Sequence, residues 1–530
     1  MSRGLALAAS LVLVMAAWPK PARAASDSGA FAMTVGRDTI ALERFTRTGD
    51  VVQGTLLYLP ARLRVDYSIS LGPDGSTLRM ENAARPASAA ASATPTQSAS
   101  LEWQADSVIA DVQPGGQQRL ASKPGSMPYL NPSLLMLELI VKRAGASRPP
   151  LGSVPVFLVS GGQTLQVSLR SVLDDSLELS LAGSVIALRI DARGHILSGS
   201  IAAQGVHFER VESLPDDRLA VLPPDYSAPP GAPYTAEPVR VPARGGFELG
   251  GTLTRPAGGK RSPCVITITG SGPQDRDERI LAVRGYRPFR QLADTLARRG
   301  IAVLRLDDRG TGESGGQFAG STSADFSDDI DDAYKWLARQ PGIDVTHIAL
   351  LGHSEGGLIA PIVALREPGI SALVLMAGPS WDGRRILLYQ NEWAAKKKHS
   401  GAGLDSAMAE ATKQIDSLAV ADKWFGFFVG YDPIGVPRRL SKPHVLLMQG
   451  ETDRQVSAEQ ANELAAAFKS SGNRDVTVHV LPATNHLFLP DPSGDPAGYM
   501  RLPSGDVPRE TLGMIADWLC ARLLPASKPR

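Results

Sequence analysis

Cysteine is scarce in this chain. Cys264 and Cys520 are the only two in 530 residues, which excludes a scaffold built on disulfides while leaving one bond between them open. Neither charge is in excess: 55 basic residues face 54 acidic ones. No broad positive face is guaranteed, so nucleic acid is not an expected partner. Neither H-E-x-x-H nor C-x-x-C occurs. A metal site therefore has no support in the sequence, and no cofactor is expected. Long apolar runs are missing except for residues 5–18, which are too short to cross a bilayer comfortably. Arg3 precedes that run, Ala22-Arg23-Ala24 follows it, and no cysteine comes after it to carry a lipid. Residues 1–24 are expected to be a cleavable secretory signal peptide, with the mature chain periplasmic or secreted and without a membrane anchor.

What is present suits a globular protein of at least two domains, with 43% apolar residues. Residues 25–212 carry alternating strand patterns, as at 55–59, 64–69 and 185–190, separated by turns such as Gly72-Pro73-Asp74-Gly75. They predict a mainly antiparallel β domain with a curved sheet and no catalytic constellation. Residues 87–100, rich in Ala, Ser and Thr, read as a flexible loop. Prolines then concentrate over 213–242, including Pro223, Pro224, Pro229, Pro230, Pro233 and Pro238, which predicts a stiff linker. From 243 to 530 strands and helices alternate, predicting an α/β domain with a doubly wound, mostly parallel sheet. The rhythm breaks at about 379–442, where helical patterns predict a cap. Its Trp393, Trp424 and Phe428 are candidates to line a substrate pocket, or simply to pack the cap on the core.

The strongest chemical signal is Gly352-His353-Ser354-Glu355-Gly356, a G-x-S-x-G. An apolar run of strand length, residues 348–351, precedes it, and residues 357–360 can open a helix. A serine at the apex of such a strand–turn–helix is forced into a strained backbone and projects its hydroxyl above the sheet edge. A serine hydroxyl is a weak nucleophile without a base, and the base needs an orienting acid. In this architecture the order is serine, acid, histidine. Asp453 follows the strand pattern at 444–448, and His486 lies in the loop beyond the pattern at 476–481. Glu451 and Asp382 remain alternatives for the acid. Among the eight histidines, His195 and His207 lie far upstream. His347, His444 and His479 fall in or beside strand patterns. His353 should point away from the serine, and His399 follows three lysines. Only His486 has the required order and loop position.

Acyl chemistry also needs donors for an oxyanion. One is expected from the backbone N–H of Glu355. The other is expected from the glycine-rich loop after the strand at 264–268, with Ser271 assigned and Gly272 possible. Two further patterns do not carry their usual functions. The G-x-G-x-x-G at 310–315 does not open a helix directly after a strand. Arg309 beside it is expected to be a structural ion-pair partner. The run Asp328, Asp329, Asp331, Asp332 is expected in the first turns of a helix burying Ile330, Tyr334 and Leu337.

Taken together these residues resemble the α/β-hydrolase family, and within it bacterial carboxylesterases. The resemblance rests on the loop at 270–277, on Asp307-Asp308-Arg309-Gly310-Thr311-Gly312-Glu313-Ser314, on Asp453-Arg454-Gln455-Val456 and on Asn485-His486. It covers the C-terminal domain. Many members carry His-Gly before the oxyanion donor, whereas this chain has Thr269-Gly270, which should alter hydrogen bonding behind the loop without removing the donor. The resemblance implies a serine esterase with a small-molecule ester as substrate. Gly356-Gly357 extends the elbow to G-x-S-x-G-G, so a prolyl-oligopeptidase-type peptidase is the alternative, with an acyl thioesterase beside it. A seven-bladed propeller would need roughly 300 residues where about 190 are available. A binding protein on an inactive scaffold is the non-enzymatic alternative, in which no acyl-serine would form. Composition is silent on oligomeric state.

Overall fold

The computed structural model describes residues 26–525, apart from 36–37, 60–62, 88–92, 146–151, 174, 182–183, 216–223, 259–260 and 281–282. The expected signal peptide lies outside the described residues, as do parts of the expected loop and linker.

The N-terminal region is one sheet of fifteen strands among the described residues. Neighbours pair antiparallel, except that Met127–Tyr129 runs parallel to Ser153–Leu158. Alternation sets its inner face: in Leu63–Leu71, Val65, Tyr67, Ile69 and Leu71 are buried, two residues apart. Residues from both halves of the sheet share one core with the helix Leu134–Gly145. Nine of that helix's twelve residues are buried, as a helix that is apolar nearly all round requires. Its N-terminus rests on the buried Glu43 carboxylate. Oε2 accepts the Leu134 and Leu135 N–H groups at 2.7 and 3.0 Å, and Oε1 accepts the Ser133 and Tyr67 hydroxyls at 2.5 and 2.7 Å. A carboxylate there satisfies otherwise orphaned N–H groups and opposes the positive end of the helix. Burial nevertheless raises the Glu43 pKa, against those hydrogen bonds. A second buried carboxylate, Glu138, pairs with Arg210 and Lys142.

Two features of this region depart from expectation. The helix was not foreseen, because an apolar run without a period reads equally as a buried strand. The stretch expected as a loop already becomes strand at Gln97–Trp103, paired on both sides by Thr77–Pro86 and Ser107–Gln113. Ladder hydrogen bonds from two neighbours override the weak propensity of alanine and serine.

Among the described residues the C-terminal sheet has eight strands, in the spatial order Tyr234–Ala243, Phe247–Pro256, Ala302–Leu306, Ser262–Ile268, Ile343–His353, Ile370–Met376, His444–Gly450 and Val476–Leu481. Phe247–Pro256 is antiparallel to both its neighbours, and the rest are parallel. Tyr234–Ala243 falls inside the proline-rich stretch read as linker. It tolerates Pro238 and Pro242 because it is an edge strand and needs partners on one side only. Successive residues of the central strands face opposite layers. Cys264, Ile266 and Ile268 pack with the helices Ser323–Leu337, Glu355–Arg366 and Glu459–Ser470, while Val265 packs with Pro288–Ala297 and Arg509–Leu523. Strands covered on both faces lose polar alternation, which is why they read as continuous apolar runs.

Between Ile370–Met376 and His444–Gly450 the chain inserts three helices, Gly383–Lys396, Ala402–Ala421 and Lys423–Gly430, the cap. The aspartate run needs a correction. Its helix starts at Ser323, behind a capping box of Thr322 and Asp325, so Asp328 to Asp332 sit in mid-helix and not in its first turns. Cations neutralise them there: Arg309 on Asp329 at 2.7 Å, Lys335 on Asp331 at 2.8 Å, Arg366 on Asp328 at 2.6 Å and Arg244 on Asp332 at 2.9 Å. Arg309 is thus an ion-pair partner, as expected. Cys264 and Cys520 are both free.

Candidate active site

Ser354 lies where the strand Ile343–His353 turns into the helix Glu355–Arg366. Its φ is 52° and its ψ −115°, a region that disfavours any side chain and holds on the order of 1–3 kcal/mol of strain. Two glycines permit the turn. A Cβ on Gly352 would stand 2.0 Å from the Gly356 carbonyl oxygen, and one on Gly356 would stand 2.2 Å from that of Ile268. The Ser354 N–H donates to the Met376 carbonyl at 2.8 Å, which ties the turn to the next strand.

Asp453 and His486 meet. His486 Nδ1 lies 2.7 Å from Asp453 Oδ2, and both residues are buried. Asp453 also accepts from Gln449 Nε2 at 2.9 Å, Gln455 N at 2.8 Å and Val456 N at 2.9 Å, so its orientation is fixed from three further directions. The two alternative acids are occupied elsewhere. Asp382 caps the helix Gly383–Lys396 by accepting from Arg385 N at 2.9 Å, and Glu451 accepts from Ala483 N at 2.9 Å. The His486 ring lies against that of His353, the residue before the serine, with centroids 5.0 Å apart.

The glycine-rich loop stands beside the serine: a Cβ on Gly270 would lie 3.4 Å from Ser354 Cβ. Gly270 N is taken by Glu278 Oε1 at 2.7 Å, and Gln274 N by Asp308 Oδ2 at 2.8 Å. The Ser271 N–H has no partner among the described residues. Glu355 is the first residue of its helix, so its N–H lacks an intrahelical acceptor. Thr269 donates its hydroxyl to Asp308 Oδ1 at 2.7 Å. Asp308 is half-buried, and desolvation pushes its pKa well up, with Glu355 and Asp307 adding to it.

Residues with no assigned role in the sequence hold this loop. Arg276 is 1% exposed. Its guanidinium contacts both Asp307 oxygens, at 3.1 and 2.6 Å, and donates to the Gly251 carbonyl at 2.8 Å. It also stacks over Tyr226 at 4.2 Å. Burial alone would lower its pKa, but Asp307 and Glu313 outweigh that and hold it up. Asp277 next to it pairs with buried Arg305. Glu278 and His353 complete the set. Arg276 and Asp307 were visible as motif letters, but only the fold shows that they face each other.

The three cap aromatics separate. Trp424 stacks on Phe428 with centroids 5.0 Å apart and donates Nε1–H to Glu355 Oε1 at 2.8 Å. Trp424 is thus tied to the residue that follows the serine, with Phe428 stacked on it. Trp393 instead lies under Lys397 Nζ at 3.4 Å and near Arg454 at 5.9 Å. No group of side chains suited to a metal ion occurs among the described residues.

Comparison with known proteins agrees with this layout. The model of the prolyl oligopeptidase family matches residues 288–497. Esterase EstD of Thermotoga maritima is 28% identical over 284 residues, covering 51% of this chain and 65% of that protein. Dipeptidyl aminopeptidase BIII of Pseudoxanthomonas mexicana is 26% identical over 281 residues, 50% of this chain and 37% of that protein. The chain thus spans less than two thirds of either relative. The solved esterase Pf2001 of Pyrococcus furiosus is 18% identical, with a TM-score of 0.39 over 57% of this chain and 97% of that one. With its mostly parallel sheet and its elbow, the C-terminal part of the chain has an α/β-hydrolase fold, and in sequence it resembles esterases.

Proposed function

We propose that the protein is a serine carboxylesterase in which Ser354 is the nucleophile, His486 the base and Asp453 the orienting acid. The observation that carries the reading is the 2.7 Å contact between Asp453 and His486, placed beside a serine in a strained elbow. His486 Nε2 takes the Ser354 proton as Oγ bonds to the ester carbonyl carbon. The N–H groups of Glu355 and Ser271 hold the oxyanion. The C–O bond to the alcohol then breaks, and the proton passes from His486 to the leaving oxygen. Water, deprotonated by His486, cleaves the acyl-serine and releases the acid. In this reading Trp424 and Phe428 form the acyl wall, supported by the Trp424 hydrogen bond to Glu355.

Peptide cleavage is the second reading, favoured by the match to the prolyl oligopeptidase model. The test is the full chain against p-nitrophenyl esters of graded length beside an Xaa-Pro amide, with Ser354→Ala as control. Serine-dependent ester turnover without amide cleavage supports the esterase. Amide cleavage promotes the peptidase, and turnover that survives Ser354→Ala overturns both.

A further inference from the structure

This inference rests on the reading of Ser354 and His486 given above. His353 is 4% exposed and is clasped on both sides. Its Nδ1 lies 2.8 Å from Glu278 Oε1, and its Nε2 lies 2.9 Å from the His486 carbonyl oxygen. A carbonyl has only lone pairs to offer, so Nε2 must carry a proton. Glu278 Oε1 already accepts the Gly270 N–H at 2.7 Å. Were Nδ1 bare, its lone pair would face a carboxylate oxygen at hydrogen-bond distance, which is repulsive. A proton therefore sits between them as well. The ring with both nitrogens protonated, beside an ionised Glu278, forms a neutral pair, and neutrality makes its burial tolerable.

We propose that His353 is a positioning residue, an imidazolium locked to Glu278, that holds the oxyanion loop and the backbone of His486 in register around Ser354. One carboxylate oxygen orients Gly270, the residue before the Ser271 donor. One imidazole connects that oxygen to the peptide of the base. Two sides of the reaction centre are thereby joined through the residue preceding the nucleophile.

The surroundings support a retained proton. Burial opposes charge on His353, but Glu278, the His486 carbonyl and Asp453 outweigh it, and its pKa is raised. The other groups facing the pair are the His486 ring at 5.0 Å, the uncharged Phe488 ring at 6.0 Å and the phenols of Tyr286 and Tyr499. Both phenols are pushed up by burial, with Glu278 adding to the first and Asp453 to the second. Neither phenol carries charge while the clamp is protonated.

The decisive measurement is the ring-nitrogen spectrum of 15N-histidine-labelled full-length Ser354→Ala, followed from neutral to alkaline pH, with His353 assigned by its loss in His353→Gln. Two protonated nitrogens at neutral pH are expected, one proton leaving only in the alkaline range. A bare Nδ1 at neutral pH overturns the proposal. In the active enzyme Glu278→Gln removes the charge and keeps an acceptor for Gly270. It should lower kcat roughly 10- to 100-fold, as small misplacements of catalytic groups do, with KM little changed. The alkaline fall of kcat should move to lower pH in Glu278→Gln and vanish in His353→Gln. Unchanged kcat and pH profile in both variants would also overturn it. Should neither variant fold, the Ser354→Ala spectrum alone decides, with the doubly protonated ring assigned by elimination. Failure of the Ser354 reading shows instead as turnover by Ser354→Ala, which the spectrum does not depend on.

Discussion

Trp424 Nε1 donates to Glu355 Oε1 at 2.8 Å, so the cap is fastened to the residue that follows Ser354. Ser323 Oγ reaches the same oxygen at 2.6 Å. Trp424→Phe keeps an apolar ring and removes the N–H. A buried carboxylate that loses a donor is destabilised by about 1–3 kcal/mol, and the cap helix Lys423–Gly430, which has no buried residue, loses its hydrogen bond to the elbow. KM for longer acyl esters should rise more than kcat falls. Identical kinetics for wild type and variant would show that the cap is held by other contacts.

Burial pushes the Glu355 carboxyl up, and the Ser323 and Trp424 hydrogen bonds offset this only in part. Its folded pKa therefore exceeds its unfolded one. The stability it contributes is fully present below the unfolded pKa and is lost as pH rises through the folded pKa. Urea midpoints of the wild type should decline across that window, and Glu355→Gln should flatten the decline. A steeper slope in the variant would reverse the sign of this account.

Asp453→Asn should keep the fold and lose most ester turnover, by about four orders of magnitude when only the imidazole tautomer is wrong. Asn can retain part of the acceptor set around Asp453 Oδ1, where Gln455 N and Val456 N converge. The rate is read from the steady-state kcat of a p-nitrophenyl ester. A wild-type rate would return the acid to Glu451 or Asp382.

Arg276→Lys replaces a planar fork with a point charge that cannot bridge both oxygens of Asp307 and the Gly251 carbonyl together. Breaking a buried pair of this kind destabilises by about 3–5 kcal/mol. The chemical denaturation midpoint of the hydrolase transition should drop accordingly. A midpoint equal to wild type would mean that the loop does not depend on the clamp.

Glu43→Gln should destabilise the N-terminal region by about 1–3 kcal/mol, because an amide nitrogen would face N–H or O–H donors where a carboxylate oxygen now accepts. Calorimetry should show a lower first transition and unaltered ester turnover. A shift confined to the hydrolase transition would place Glu43's contribution elsewhere.

Much of the C-terminal domain could be read from the chain, because its signals are local. Gly352 and Gly356 flank the elbow, apolar runs mark buried strands, and Asp453 and His486 each follow one of them. Relations across the fold were not legible. Nothing near residue 278 says that its carboxylate meets His353, 75 positions on. Arg276 and Asp307 are 31 positions apart, and only the fold brings together the segments that follow the paired strands Ser262–Ile268 and Ala302–Leu306. Residues 134–145 form a helix packed into a core drawn from both halves of the sheet, a tertiary cause that an aperiodic apolar run cannot announce. Pro238 marked a linker and stands in an edge strand, since proline forbids only the inner side of a ladder.

The backbone at Ser354 has a consequence for the history of such a chain. At φ 52° glycine would sit more comfortably than serine, so Ser354→Gly should fold to a sturdier protein with no nucleophile. Selection for durability alone would erase the residue. A serine persists at this corner only where turnover is continually rewarded, and a copy released from that demand would be expected to drift to glycine here before its core changed.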